Sequence, residues 1–355
     1  MPLSKAVETP TCRETREQPV GSCTGLAEAL GGAARLFVFT HDNPDPDSIA
    51  AAWLLAGIAE HLQVRARIIH GGQLGRAENR AMVRRLRIPL RPLPAGGLRL
   101  RRGDRVALVD AQPGTGNSSL PPGVRCDIVL DHHPRRRFEA GFVDIRPAFG
   151  CTTTMALEYF EACGLVPDVG RATAAAYAII SETQDLQREA SRADRLALAR
   201  LMPRLRLTDL GRIRHPPRRR AYYETIARAM REVRLGRHVC VCHAGGVPSA
   251  EVVAELADLL VAMERITWCL VSGWQAGQAL LSIRTTRPEA NADHVMRAVL
   301  GRAGHGGGHG MMAGGAQPAA DLEAYRTLAA TFTQRFVARV SPRTRITLAP
   351  LLPAD

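Results

Sequence analysis

The sequence predicts an α/β protein in two parts, a parallel-sheet domain followed by a smaller mixed α/β domain. Three observations predict it. Short apolar runs alternate with longer stretches of helical periodicity, the pattern of βαβ units. Several of these runs end in aspartate or histidine, as strands do where a parallel sheet turns its carboxyl ends to a ligand. A proline- and arginine-rich interval at 201–220 then separates this pattern from a second series of strands and helices.

Composition bounds the reading. The 355 residues suffice for two cores. No apolar run approaches the ~18 residues of a membrane span. Residues 1–32 lack a basic segment followed by an apolar one, so no secretory signal is expected and the stretch reads as a flexible leader. Eight scattered cysteines fit a reduced, cytoplasmic protein, and Cys240-Val241-Cys242 fits two strand positions better than half a zinc site. Net charge is +13 and Lys5 is the only lysine. A positive charge carried by guanidinium groups favours polyanionic partners, nucleotides or nucleic acid.

In chain order, 36–40 is the first strand and 49–63 a helix. Between them lies His41-Asp42-Asn43-Pro44-Asp45-Pro46-Asp47-Ser48, which taken alone is also compatible with a polar turn capped by Asp47 or Ser48. Residues 64–70 form a second strand and 76–82 begin a helix; 91–103 reads mostly as loop. Strand 106–110 ends in Asp110, strand 127–131 in Asp131-His132-His133, and 142–145 is a short strand. Helices follow at 151–163 and 172–180, the second running into Glu182 and Asp185. Acids and imidazoles gathered at strand ends in a basic chain indicate a cation site, because crowded carboxylates repel one another. Oxygen and imidazole ligands without thiolate suit Mn²⁺ or Mg²⁺, with Zn²⁺ and Fe²⁺ also compatible.

Past the seven arginines of 201–220, 222–234 reads as a connecting helix. A strand at 237–244, a helix at 250–263, strands at 266–272 and 279–284 and a helix at 293–300 follow. Seven glycines in residues 304–315, around His305 and His309, suggest an anion-binding nest with a helix start behind it. A helix beyond 320 and a strand-like 344–351 close the chain.

Taken together, His41 to Asp47, Asp110 with Ala111-Gln112-Pro113, and Asp131-His132-His133 resemble the motifs of the DHH phosphoesterase family. Residues 306–309, Gly-Gly-Gly-His, resemble the motif of its DHHA1-type C-terminal domain. The resemblance implies domains at 33–210 (catalytic) and 237–355 (substrate-binding), joined by a basic linker and helix at 211–236. It implies two divalent cations, Mn²⁺ first and Mg²⁺ next, with Asp110 bridging them. His41 and Asp45 would belong to one ion, Asp47 and His132 to the other. Asp110, His132 and His133 would be catalytic, His133 beside the phosphate, with Asp131 buttressing a histidine. Where the family has Asp-Thr, this chain has Glu182-Thr183, so Glu182 takes the last ligand position and Asp185 is its alternate. Arg284, Gly306, Gly307, Gly308 and His309 would grip the substrate. The implied reaction is hydrolysis of phosphate esters in short oligonucleotides or small nucleotides by attack of a metal-generated hydroxide. A 3′-phosphoadenosine 5′-phosphate phosphatase, a cyclic or linear dinucleotide phosphodiesterase, and a nucleic-acid-binding protein with a structural metal are the alternatives. Single-stranded nucleic acid is a further expected partner, a membrane is not, and the oligomeric state, homodimer included, stays open.

Overall fold

The short apolar runs become strands of two separate sheets in the computed structural model, which describes residues 23–121 and 123–352 and, at His309, the backbone alone. The chain divides into two compact units, one ending at Pro216 and one starting at Pro217, inside the stretch expected to be a linker.

The first unit contains α1 (Cys23–Leu30), β1 (Arg35–Phe39), α2 (Pro46–His61), β2 (Arg65–His70), α3 (Ala77–Leu86), β3 (Leu90–Pro92) and β4 (Asp104–Val109). It continues through β5 (Cys126–Asp131), β6 (Ala140–Ile145), α4 (Thr152–Ala162), α5 (Val169–Glu182), α6 (Arg192–Leu201) and α7 (Leu207–Arg214). The sheet order is β3-β2-β1-β4-β5-β6, and every pair is parallel. Strand order therefore reverses between β1 and β4, and a crevice at the carboxyl ends of these two strands is where such sheets place ligands.

Alternation along β1 explains the layering. Leu36 and Val38 join the core beneath α2, α4 and α5, while Phe37 and Phe39 face a second cluster with Leu93, Leu98 and Leu100 of the 93–103 loop. Helix α2 is buried almost all round, and its small Ala50, Ala51 and Ala52 let it pack between sheet and helices.

Two expectations are corrected here. Residues 23–30 of the expected leader form a helix, because Leu26 and Leu30, one turn apart, enter the core; residues 1–22 lie outside the described residues. The chain was expected to be reduced, but among the described residues Cys23 and Cys163 form a disulfide, with Cα atoms 5.1 Å apart, whereas Cys126, Cys151, Cys240, Cys242 and Cys269 are free and buried.

The second unit comprises α8 (Arg220–Arg231), β7 (Val233–Gly236), β8 (Val239–Gly246), α9 (Ala250–Val261), β9 (Trp268–Gln275) and β10 (Gln278–Thr285). It ends with α10 (Ala292–Leu300), β11 (His305–His309), β12 (Met312–Pro318), α11 (Leu322–Val340) and β13 (Ala349–Pro350). Its sheet runs β11-β12-β10-β9-β8-β7-β13, with β8 and β9 parallel and the other neighbours antiparallel. Helices α10 and α11 cover one face through Met296, Val299, Phe332 and Phe336. On the other face Val253 and Leu256 of α9 pack on Cys240, Cys242 and Cys269, so the CxC pair fills core strand positions.

Two further readings change. The connecting helix stops at Arg231 because Val233 alternates into the sheet with β8, and the strand-like 344–351 contributes only Ala349 and Pro350. Among the described residues, no helix is long and apolar enough to cross a membrane.

The disulfide closes a loop spanning 140 positions. On loop entropy alone it stabilises the folded chain by about 5 kcal/mol. Cys163→Ser should therefore lower the urea midpoint measured under non-reducing conditions, and an unchanged midpoint would show that the bond contributes nothing.

Candidate metal centre

The two loops at the strand-order reversal carry the first ligands. Beyond β1, His41 is held by its own neighbour: Nδ1 lies 2.8 Å from the carbonyl of Asp42. A carbonyl only accepts, so Nδ1 carries the proton and Nε2 of the neutral ring presents a lone pair. That Nε2 lies 3.4 Å from Asp45 Oδ1 and 3.6 Å from Asp110 Oδ2. His132 after β5 repeats the arrangement, with Nδ1 3.1 Å from the Phe149 carbonyl and Nε2 3.6 Å from Asp110 Oδ1 and 4.0 Å from Asp47 Oδ2. Two imidazole lone pairs thus face carboxylate oxygens with no hydrogen available between them unless the rings protonate. A cation resolves this conflict, and the donor set fits one.

Asp110 joins the two groups. It is the residue beyond β4, 3 % exposed, and its φ of 57° puts a non-glycine residue in the left-handed region. Such strain persists only where the surroundings enforce it; here the Asp110 N–H donates to Leu130 O at 2.9 Å and its Oδ1 accepts from the Thr152 hydroxyl at 2.9 Å. The ligand atoms of His41, Asp45 and Asp110 lie within 4.8 Å of one another, as do those of Asp110, His132 and His133.

The other motif residues take defined positions. Asp45 is itself the N-cap of α2, accepting from Ser48 N at 2.9 Å, so the cap falls on Asp45 rather than Asp47 or Ser48 and one side chain serves both turn and cluster. Asp47, fully buried, accepts from the backbone N–H groups of Thr152 and Thr153 at 2.7 Å each, at the start of α4. Asp42 points elsewhere: its Oδ1 accepts from Ser119 N and Oγ at 2.8 and 2.6 Å, tying the motif to the loop after β4. A Cβ on Gly71 would collide with both of those side chains, so only glycine fits there. Asp131 accepts from His133 Nδ1 at 2.8 Å and from Gln112 Nε2 at 2.6 Å, and thereby orients His133, whose side chain is 46 % exposed.

Glu182, the last residue of α5, accepts from Arg188 at 3.4 Å and lies close enough to Asp45 and Asp47 to feel their charge. Asp185 is not brought into the cluster: in a left-handed turn with φ of 57°, it pairs with Arg214 at 2.9 Å. In the second unit, the Arg284 guanidinium pairs with Asp258 and donates to Ser282 Oγ at 2.8 Å. Gly306, Gly307 and Gly308 form an edge strand rather than a nest before a helix. Gly308 has no room for a Cβ against Met312 and Ala313, so its glycine answers to packing on β12. Register places residue 309 opposite Met312, which pairs with Arg284; the His309 side chain lies outside the described residues.

Three contributors escaped the sequence reading. Thr152 and Thr153 supply the donors to Asp110 and Asp47. Asp194, fully buried, accepts from Gly150 N at 2.8 Å and Thr154 Oγ1 at 2.5 Å and so fixes the loop that delivers them. The Cys-Thr-Thr-Thr run at a helix start was the available signal.

Electrostatics report the same crowding. Burial first, then the charge of Asp110, raises Asp47 to about 7; burial and Asp45 raise Asp110 to about 6. Burial, with Asp45 and Asp47 adding, raises Glu182 to about 7. Burial acts to lower His41, but Asp45 and Asp110 more than reverse it, to about 10. Asp45 goes the other way: burial opposes, yet His41 and Ser48 hold it below the usual carboxylate range. His133 rises to about 9, chiefly through its bond to Asp131. Protons thus stand where cations would.

No family model matches this chain. An uncharacterized protein of Methanocaldococcus jannaschii is 30% identical over 276 residues, covering 77% of this chain and 56% of that protein, so the chain spans about half the length of this curated relative. An exopolyphosphatase-related protein from Bacteroides fragilis shares the fold: TM-score 0.65 at 11% identity, over 88% of this chain and 95% of the other. RecJ of Thermus thermophilus, in complex with Mn²⁺, superposes more loosely, TM-score 0.44 at 18% identity over 88% of this chain and 55% of that one.

The raised carboxyls hold protons that the unfolded chain would release. Their contribution to the metal-free fold is complete below the ordinary carboxylate range and is lost as pH rises through about 6 to 7. A cation must displace the same protons. Mn²⁺ affinity measured by calorimetry should therefore rise about tenfold or more between pH 6 and pH 8, with proton release detected by changing the buffer. A pH-independent affinity would contradict this protonation scheme.

Proposed function

We propose that the chain is a DHH-family phosphoesterase that uses two divalent cations, Mn²⁺ or Mg²⁺, to hydrolyse phosphate esters of short oligonucleotides or small nucleotides. The observation that carries this reading is Asp110, whose two oxygens face different histidines, His41 and His132, each at 3.6 Å. A carboxylate shared by two His–Asp groups could serve both ions of a two-cation phosphoesterase. His41, Asp45 and Asp110 would hold one ion, and Asp110, His132 and Asp47 the other, with Glu182 completing the set. Bound there, the ions would supply Lewis acidity and a nucleophilic hydroxide at neutral pH.

The chain's own side chains do the rest. Asp131 keeps the His133 Nδ1 proton occupied and so fixes the orientation of the ring. This half-exposed ring beside Asp110 would, when protonated, donate from Nε2 to a phosphate or leaving-group oxygen. The guanidinium-rich surface draws phosphate esters toward the molecule. In the second unit, Arg284 and the open edge of β11 would take a substrate phosphate and backbone; Arg284 then shares or exchanges its Asp258 partner.

A hydrolysis screen with Mn²⁺ and Mg²⁺ tests the reading. It compares a dinucleotide, 3′-phosphoadenosine 5′-phosphate, a cyclic dinucleotide, a ~20-nucleotide DNA strand and inorganic polyphosphate, the spread of substrates for which two-metal sites are built. The dinucleotide or the bisphosphate should turn over fastest. Asp110→Ala should lower that rate by about 10³-fold or more, and Glu182→Ala by about 10–100-fold. If neither substitution lowers hydrolysis of any substrate, the metal centre is structural and the nucleic-acid-binding alternative takes its place.

A further inference from the structure

In the first unit, the amino ends of β1, β2 and β4 open onto a cavity of about 580 Å³. Arg35, Arg65, Arg67, Arg101 and Arg102 line it, against two acids, Glu60 and Asp104, an excess of three positive charges. Asp104 is already saturated: Arg35 donates to both its oxygens at 2.9 and 2.6 Å, and Arg101 N donates at 2.7 Å. Glu60 lies 3.7 Å from Arg171, outside the lining. Among the described residues, Arg65, Arg67 and Arg102 have no acidic partner. Three exposed guanidinium groups line one cavity with Glu60 as the only acid there not already saturated, and the bidentate fork of each matches phosphate oxygens.

A second cavity of about 380 Å³ shares Glu60, Ala66 and Arg67 with the first and adds Trp53, Pro89 and Arg91. The two meet at Arg67, so a polar, cationic chamber adjoins one walled by an indole and a proline. Each volume lies within the size range of small-ligand sites, roughly 300–1,000 Å³. The site also lies away from the metal centre: β1 runs five residues from Arg35 to Phe39, so the Cα atoms at its two ends are roughly 13 Å apart.

We propose that these joined cavities bind a nucleotide, its phosphates among Arg65, Arg67 and Arg102 and its base against Trp53 and Pro89. This binding needs neither the metal centre nor its activity.

The test titrates ADP, inorganic tripolyphosphate and adenosine into the full chain in EDTA, followed by calorimetry. ADP and tripolyphosphate should bind, and adenosine about tenfold more weakly or less. Arg67→Glu combined with Arg102→Glu should weaken ADP by about tenfold or more, Trp53→Ala should weaken ADP but spare tripolyphosphate, and Asp110→Ala should bind ADP like the parent. Circular dichroism checks folding, and Arg65→Glu alone serves if the double variant misfolds. Equal ADP affinity in parent and charge-reversed chains overturns the proposal. So does loss of binding in Asp110→Ala, which would assign the ligand to the metal centre. A ~10-nucleotide strand that binds where ADP does not would identify the surface as a nucleic-acid track instead.

Discussion

The carboxylate of Asp110 is the constraint on which the first unit turns. It sits where strand order reverses, in a left-handed backbone conformation that few non-glycine residues hold, and each of its oxygens faces a different histidine. Two carboxylates ~4 Å apart repel by about 4 kcal/mol at an effective dielectric near 20. Asp45, Asp47, Asp110 and Glu182 together would disrupt a fold that had no means of holding positive charge among them. The raised pKa values of three of these acids and of His41 are that need expressed in protons.

Much of the surrounding fold serves to hold this arrangement still. Asp47 is clamped by the first backbone N–H groups of α4, where the helix dipole also favours negative charge. Asp194 fixes the loop entering α4, Gln112 binds the 131–136 segment through Asp131 and the Arg136 amide, and Asp42 ties the β1 loop to Ser119. Three separate loops are therefore locked by three buried or half-buried side chains that belong to neither ligand group. The histidines gain most: carbonyl acceptors at both Nδ1 atoms choose the tautomer that aims a lone pair at the cluster.

The first unit was legible because its sheet is buried on both faces. Runs such as 36–40 and 106–110 are continuously apolar, and an acid that ends such a run stands out. Elements whose signals are weaker were misread. Helix α1 has only Leu26 and Leu30 to mark its buried side, and Val233–Gly236 continues a helical pattern until pairing with β8 overrides it. The β11–β12 hairpin was invisible because glycine has no side chain to alternate; the same glycines that suggested an anion nest let two strands approach. Asp185 stood as the alternate to Glu182 on spacing alone, but three successive left-handed residues, Gln184 to Leu186, swing it to Arg214. Thr152 and Thr153 could not be assigned from spacing, because only the fold brings Thr152 against Asp110, 42 positions away, and Thr153 against Asp47, 106 positions away.

The parallel sheet gives these charges a polarity. Acids and imidazoles gather beyond the carboxyl ends of β1, β4 and β5, while Arg35, Arg65 and Arg67 occupy the amino ends of β1 and β2. Parallel strands make this possible, since like ends of neighbouring strands lie side by side and a residue type repeated at strand ends becomes a patch. In an antiparallel sheet the same sequence pattern would interleave acid with arginine and neutralise both. Neutralisation does occur at the amino ends where β4 brings Asp104 beside Arg35, and the remaining arginines stand out by contrast. A chain with excess cation overall can thus keep a concentrated anionic pocket at one end of its sheet, provided that pocket is deep enough for its carboxylates to be screened from the arginines by the apolar strands between.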